Sequence, residues 1–192
     1  ALLVAFFQER PAAVSNAFRV LAIYRVSDAA MLSAAVLLRH VAGTDSLSLL
    51  FGDTRAASTI GLTGPSATII AVLLVVAVAG KSALLPFSSW LPRAMEGPTP
   101  SSAVYYGSLS IHAGCFLLLR AAPLLEQAPV ARVLAGILGA ATTTYAGLTT
   151  RVQSDVKSSL AYASLTQVGI IVLEIAVGWY TIAFVHLAGH AC

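Results

Sequence analysis

Lys81 is the residue of this sequence whose type and setting point most directly to chemistry. It ends an uncharged, apolar stretch that begins at Ala56. The residues that would share its helical face cannot hold a charge, so a counterion must come from another helix; they are Ala77, Val78, Leu84 and Leu85. Burial disfavours a charged amine and a nearby carboxylate favours it, so a moving carboxylate could switch its protonation. The alternative is a lysine whose amine reaches the membrane surface.

Pro86 follows Lys81 closely and predicts a break in the helix. Proline lacks the backbone N–H that a helix interior requires, and its ring obstructs the preceding turn. We therefore predict a broken helix between Lys81 and Pro86. A broken helix beside a buried cation is a recurring feature of ion-transport paths.

Three histidines in apolar surroundings could pass protons, because the imidazole titrates near neutral pH and has two ring nitrogens. His112 lies deep in one apolar stretch, shortly after Tyr105 and Tyr106. His186 and His190 are four residues apart, so a helix places them on one face. Two other interpretations remain open, a hydrogen-bonded structural role and metal or haem binding, although no ligand set with suitable spacing accompanies the pair.

Three further charged residues interrupt apolar stretches. Arg25 and Asp28 are three residues apart, share a helical face and could neutralise each other as a structural pair. Glu174 could be a carboxylate of a proton relay, or it could lie at the membrane interface near the turn before Trp179. Ionisable residues are costly inside a membrane and require a partner, a water-filled cavity or a function.

Composition places these residues in a membrane protein. The chain of 192 residues is 58% hydrophobic and 10% charged, with a mean hydropathy of +0.86. Soluble domains carry about 25% charged residues, so a water-soluble monomer is excluded, and a disordered chain needs the opposite composition. The net charge of +3 comes from basic residues that do not cluster, which gives no footprint for nucleic acid.

The apolar stretches predict an all-α integral membrane protein, a polytopic bundle of about six to seven transmembrane helices. They are too long for strands and show no alternation; they cover about 12–38, 56–80, 97–119, 133–150 and 156–177, with a helix tail at 1–7 and a helix that begins near 179. We treat residues 1–192 as one transmembrane domain. Because the first and last residues lie within apolar runs, we expect an internal piece of a longer subunit, truncated at both ends.

Four motifs closely resemble the antiporter-like subunits of respiratory complex I. The best match is the family of NADH-quinone oxidoreductase chain 5, also called subunit L. The resemblance covers essentially the whole chain, and the order and spacing of the motifs agree with it. The motifs are RVSD at 25–28, GKSALLP at 80–86 with WL at 90–91 and AMEGPTPSSA at 94–103, DVKSSLAYASLTQVG at 155–169, and HLAGHA at 186–191.

The resemblance implies a fragment of a repeated five-helix bundle in which Lys81, on the broken helix, is a key proton carrier. In the family, a glutamate that would fall before Ala1 pairs with this lysine. The histidines that match His186 and His190 help to connect two half-channels, and a further lysine would follow Cys192. Lys157 lies in the third motif. We class it as a residue that supports the proton relay, together with Arg25, Asp28, Tyr106 and Glu174.

Three departures from the family indicate a divergent branch. Ser27 stands where glycine is usual, Tyr106 where close relatives have a histidine, and Glu174 where the residue is typically apolar. Tyr106 could relay protons only through its hydroxyl and ordered water. We therefore expect His112, less than two turns later, to have taken over this role.

The sequence thus predicts a proton-translocating, non-redox subunit of a complex I-type translocase without a cofactor or bound metal. Its partners would be other membrane subunits, the lipid bilayer and protons or sodium ions, in a bacterial inner membrane or a mitochondrial or plastid inner membrane. Alternatives of the same fold are a subunit of a multi-subunit sodium/proton antiporter or of an inorganic-carbon uptake system. A structural scaffold that has lost transport is the alternative of another class.

Overall fold

The computed structural model describes residues 2–43, 64–107 and 110–191, and every regular element within them is a helix. The predicted polar connection between Thr44 and Arg55, the start of the predicted span at 56–63, and both terminal residues lie outside these ranges. The α-helices are α1 (Pro11–Ala42), α2 (Gly64–Lys81), α3 (Trp90–Arg93), α4 (Thr99–Tyr106), α5 (Ser110–Arg120), α6 (Ala122–Glu126), α7 (Pro129–Thr150), α8 (Val156–Val177) and α9 (Tyr180–Ala191). Short 3-10 helices cover Val4–Phe6, Phe87–Ser89 and Ala94–Glu96.

The prediction of an all-helical integral membrane protein is confirmed. In the described ranges, four segments are long and apolar enough to cross a membrane: Pro11–Ala42, Gly64–Lys81, Thr99–Arg120 (α4 and α5 together) and Val156–Val177. Six to seven spans were expected. Two further predicted spans correspond to helices α7 and α9. Helix α7 has 22 residues, many of them threonines. Helix α9 has 12 residues, fewer than the roughly 20 that cross a bilayer.

The ends of α8 show why this helix matches its predicted bounds. The backbone N–H of Ser158 donates to the Asp155 carboxylate at 2.8 Å, which satisfies one free donor of the first turn. The same hydrogen bond holds the pKa of this exposed carboxyl below its usual value. Gly178 ends the helix with φ of +99°, a left-handed conformation that glycine adopts without steric cost.

Helices α7 and α8 pack backbone against backbone through two glycines. A Cβ atom on Gly139 would lie 2.8 Å from the carbonyl oxygen of Gly169, and one on Gly169 would lie 2.8 Å from the backbone nitrogen of Thr143. Small residues permit such an approach in membrane helices, where van der Waals contact drives association. This pair therefore forms a close-packed support for the elements that carry the charged residues.

We expect Gly139→Ala to destabilise the bundle, because the added methyl group meets backbone atoms that cannot move aside. Overpacking costs about 1–3 kcal/mol, whereas alanine in place of glycine gains up to about 1 kcal/mol of helix propensity. The matched control is Gly147→Ala on the same helix, where the nearest atoms would lie 3.7 Å away. Denaturant unfolding of the full-length subunit in detergent should rank Gly139→Ala below Gly147→Ala in free energy of unfolding; equal stabilities would contradict the packing argument.

Candidate functional site

Helix α2 ends at Lys81, and the predicted break between Lys81 and Pro86 is confirmed. The chain leaves the helix at Ala83, whose φ of +56° lies in the left-handed region, and the Leu85–Pro86 peptide bond is cis. Lys81, the last residue of the helix, thus lies several residues before Pro86, and the chain between them is not helical. A non-glycine residue in this conformation is costly and requires support from its surroundings.

Neighbouring elements supply hydrogen bonds to the backbone around the break. The indole N–H of Trp90 on α3 donates to the carbonyl oxygen of Gly80 at 2.9 Å. The backbone N–H of Leu85 donates to the Thr142 hydroxyl of α7, also at 2.9 Å. Irregular backbone at membrane depth is tolerated where protein groups satisfy it, so these contacts fix the position of Lys81.

Small residues bring α1 against α2 beside Lys81. The Ser27 hydroxyl, which is buried, donates to the carbonyl oxygen of Ala77. A Cβ atom on Gly80 would lie 2.8 Å from the Cβ of Ser27. The serine that departs from the family pattern therefore fits here because residue 80 is glycine, and the next residue of α1, Asp28, reaches Lys81.

Asp28 is the counterion of Lys81. The lysine Nζ lies 2.5 Å from the aspartate Oδ1, and the side chains are 30% and 34% exposed. Lys81 thus takes its partner from another helix, as its apolar face requires. The pairing expected between Arg25 and Asp28 is not found: the Arg25 side chain is exposed, and within the described ranges the Asp28 carboxylate turns inward to the amine on α2.

Tyr24 is a site residue that the sequence analysis missed. The amine of Lys81 lies 4.5 Å from the centroid of its ring, a cation–π contact. The Tyr24 hydroxyl forms a 2.6 Å hydrogen bond with the hydroxyl of Ser110, the first residue of α5. Its position four residues before Asp28, on the same face of α1, is the signal that could have identified it.

The second half of the site is a histidine pair between α5 and α9. His112 Nε2 lies 2.7 Å from His190 Nδ1, and the ring centroids are 4.9 Å apart. His112 is 4% exposed. A hydrogen bond between two imidazoles needs a donor on one ring and an acceptor on the other, so an excess proton on one ring can cross this contact to the other helix.

His186 lies one turn before His190 and contacts two polar side chains of α8. Its Nδ1 lies 3.0 and 3.1 Å from the two carboxylate oxygens of Glu174. Its Nε2 lies 3.0 Å from Oε1 of Gln167. Glu174 therefore faces the histidine helix within the bundle rather than ending free at an interface.

Two supporting residues lie elsewhere. Lys157, at the start of α8, donates from Nζ to the carbonyl oxygen of Gly97 at 3.2 Å and lies at the polar end of the bundle. Tyr106 packs against the apolar core, and no hydrogen bond joins its hydroxyl to the histidines within the described ranges. The same ranges contain no group of three His, Cys, Asp or Glu residues that could hold a metal ion.

Helix α5 connects the two polar clusters. Ser110, at its start, belongs to the group around Lys81, and His112, two residues later, belongs to the histidine group. The site is therefore one charged pair and three histidines on four helices of an apolar bundle. Such an arrangement can accept, hold and pass protons.

Comparisons with known proteins match this chain over nearly its whole length. The family model described as "NADH:quinone oxidoreductase/Mrp antiporter, TM" matches residues 1–192. The chain is 35% identical to NADH-ubiquinone oxidoreductase chain 5 of Metridium senile over 190 residues, and 33% identical to NADH-quinone oxidoreductase subunit L of Rhodobacter capsulatus over 195 residues. These alignments cover 99% of the chain but only 31% and 27% of the two relatives.

Solved structures agree on the fold. The Mrp complex from Dietzia sp. DQ12-45-1b matches with a TM-score of 0.84 and 33% identity, over 95% of this chain and 20% of that one. A membrane-bound sulfane sulfur reductase, described as an archaeal respiratory membrane complex, matches with a TM-score of 0.81 and 21% identity, over 98% of this chain and 39% of that one. At that identity the second match supports the fold alone.

Proposed function

This chain belongs to the NADH:quinone oxidoreductase/Mrp antiporter transmembrane family, and from this premise we propose that it forms a proton-translocating domain, residues 1–192, of a complex I-type membrane subunit. The chain spans about 30% of the length of its curated relatives. Activity, ions and partners of the whole subunit are part of the proposal.

The observation that carries this proposal is the Lys81–Asp28 ion pair at the end of the broken helix. A lysine is expensive at membrane depth unless it is paired or functional. Here the amine stands where the helix has lost its regular backbone, and its counterion comes from a separate helix. A small displacement of α1 against α2 would change the distance between the charges, and with it the preference of the amine for its proton.

The proton leaves this pair toward the histidines in the proposed path. Tyr24 and Ser110 connect the surroundings of Lys81 to α5 through a 2.6 Å hydrogen bond. The path then requires a transfer along α5 from Ser110 to His112, two residues later, after which His112 passes the proton to His190 across their 2.7 Å contact. His186, one turn away on the same face of α9, continues the path in the direction of the helices outside this chain.

Quinone reduction elsewhere in the assembly would supply the driving force. In this proposal the chain holds no redox centre, and the electrostatic and conformational changes that reach it move Asp28 relative to Lys81. Its partners would be other membrane subunits of a multi-subunit complex. The relatives named above support this, since their names describe a subunit and a chain of larger oxidoreductases.

A second candidate is a subunit of a multi-subunit sodium/proton antiporter. The observation that favours it is the structural match to the Mrp complex at 33% identity. The two functions share the fold and the lysine site, and they differ in the coupled ion and in the energy source.

Ion movement in proteoliposomes distinguishes these functions. The full-length subunit in its assembled complex should move protons when a quinone reductant is supplied, and the rate in nominally sodium-free buffer should lie within about twofold of the rate in sodium buffer. A pH-sensitive dye and a sodium-sensitive dye record both ions in the same vesicles. Proton movement that needs an imposed sodium gradient would support the antiporter instead, and movement of neither ion would support a scaffold.

A further inference from the structure

Glu174 and His186 form a charged contact that the path described above does not use. They face each other across the antiparallel helices α8 and α9, which Gly178 and Trp179 connect. Both carboxylate oxygens of Glu174 approach Nδ1, at 3.0 and 3.1 Å, and the side chains are only 14% and 25% exposed. The carboxylate is therefore committed to this one imidazole rather than to solvent.

The second nitrogen of the same ring also faces an oxygen. Gln167 Oε1 lies 3.0 Å from Nε2. A neutral imidazole can donate from only one nitrogen, whereas an imidazolium donates from both. Glu174 thus fixes a proton on Nδ1, and with the Gln167 amide in this orientation Nε2 also faces an acceptor, as in an imidazolium whose charge Glu174 compensates. Rotation of the Gln167 amide would present its NH₂ group instead and suit the neutral ring.

The other groups around His186 do not offer this compensation. His190 lies one turn further on α9, and His112 approaches His190 from α5. On α7, the Arg132 guanidinium binds the carbonyl oxygens of Ala176 and Val177 at the end of α8. These groups are neutral or cationic, so among the described residues packed around His186 the negative charge comes from Glu174.

A cavity of about 370 Å³ adjoins the pair. Its lining includes both Glu174 and His186, and otherwise consists of Thr181, Ile182 and Val185. A water molecule occupies about 30 Å³ of liquid volume, so the space is large enough for one, and a water there would lie beside the only two ionisable side chains of this otherwise largely apolar lining.

We propose that Glu174 is an additional proton-binding residue of this branch and that it makes His186 a second charged station of the relay. This inference rests on the proposed function and extends it. A proton that reaches neutral His186 bonds to the ring and is held as an imidazolium–carboxylate pair. It leaves when Nδ1 gives it to the carboxylate oxygen, which produces a neutral ring and a neutral carboxyl group, and the carboxyl group then releases it to water in the cavity.

Glu174→Gln in the assembled complex tests this role, because glutamine keeps the size of the side chain and removes the charge. Without the carboxylate an imidazolium at position 186 has no counterion, so the alkaline limb of the pH profile of proton translocation should move to lower pH. Glu174→Asp should restore part of this shift. The matched control is Glu126→Gln at the exposed end of α6, which should leave the profile at its wild-type position.

An unchanged profile in Glu174→Gln, or an equal shift in Glu126→Gln, would overturn the proposal. Nitrogen-15 NMR of labelled histidine in the wild-type complex provides a test that does not depend on assembly of a variant. Both ring nitrogens of His186 should be protonated at pH 7, and a free lone pair on either would also overturn it. Lys81→Ala measured in parallel separates the two hypotheses: wild-type translocation in that variant would refute the proposed function itself.

Discussion

Lys81→Ala should abolish proton translocation by the assembled complex, to less than about a tenth of the wild-type rate. Alanine removes the titratable amine at the break between α2 and α3, and no other lysine of the described ranges lies near it, since Lys157 is at the polar end of the bundle. A loss of this size corresponds to about 1.4 kcal/mol or more in the limiting step. Dye-recorded proton uptake, normalised to quinone reduction, measures it.

Two variants show whether the loss comes from the lysine itself. Lys81→Arg keeps a positive charge but cannot release its proton at neutral pH, so we expect it to be nearly as inactive as alanine. Arg151→Ala removes an exposed cation at the end of α7 and should translocate at the wild-type rate. Wild-type translocation in Lys81→Ala would mean that the chain is a scaffold for a path elsewhere.

Asp28→Asn should lower proton translocation by about tenfold. The substitution leaves the Lys81 amine without the carboxylate that lies 2.5 Å away. The amine would then stand at membrane depth without its counterion, which is unfavourable for a charged side chain. The contact whose making and breaking drives proton uptake in the proposed function would be lost.

Asp155→Asn is the matched control for this prediction. Asp155 is exposed and caps α8, and asparagine preserves the cap, so translocation should be unchanged. Asp28→Glu should retain a substantial part of the activity, because the charge remains on the same face of α1. If Asp28→Asn and Asp155→Asn behaved alike, the ion pair would have no part in proton uptake.

The fold could be predicted from the sequence largely because charge is so unevenly distributed along it. The bounds of α8 agree with the predicted span, since Asp155 and Gly178 mark its ends with ordinary capping signals. The count of spans could not be obtained in the same way. The threonine hydroxyls of α7 donate to backbone carbonyls of the preceding helical turn. The length of an apolar stretch therefore does not show whether a helix with such internally bonded polar residues crosses the membrane.

The site was less accessible than the fold because it depends on contacts between helices. Spacing along α1 made Arg25 the obvious neighbour of Asp28, and only the close approach permitted by Ser27 and Gly80 reveals Lys81 as its partner. Tyr24 was overlooked because its one signal, the spacing of four residues before Asp28, gains meaning only once Asp28 is known to bind Lys81. The contact between His112 and His190 joins distant parts of the sequence and required the fold.

Proton translocation by the His112→Ala complex, measured beside Lys81→Ala in the same vesicles, tests the relay most directly. His112 is the residue that connects the lysine side of the bundle to the histidine helix, through its 2.7 Å contact with His190. A relay along this path predicts that both variants lose translocation while the complex still assembles and reduces quinone. Wild-type translocation in His112→Ala, together with its loss in Lys81→Ala, would contradict it.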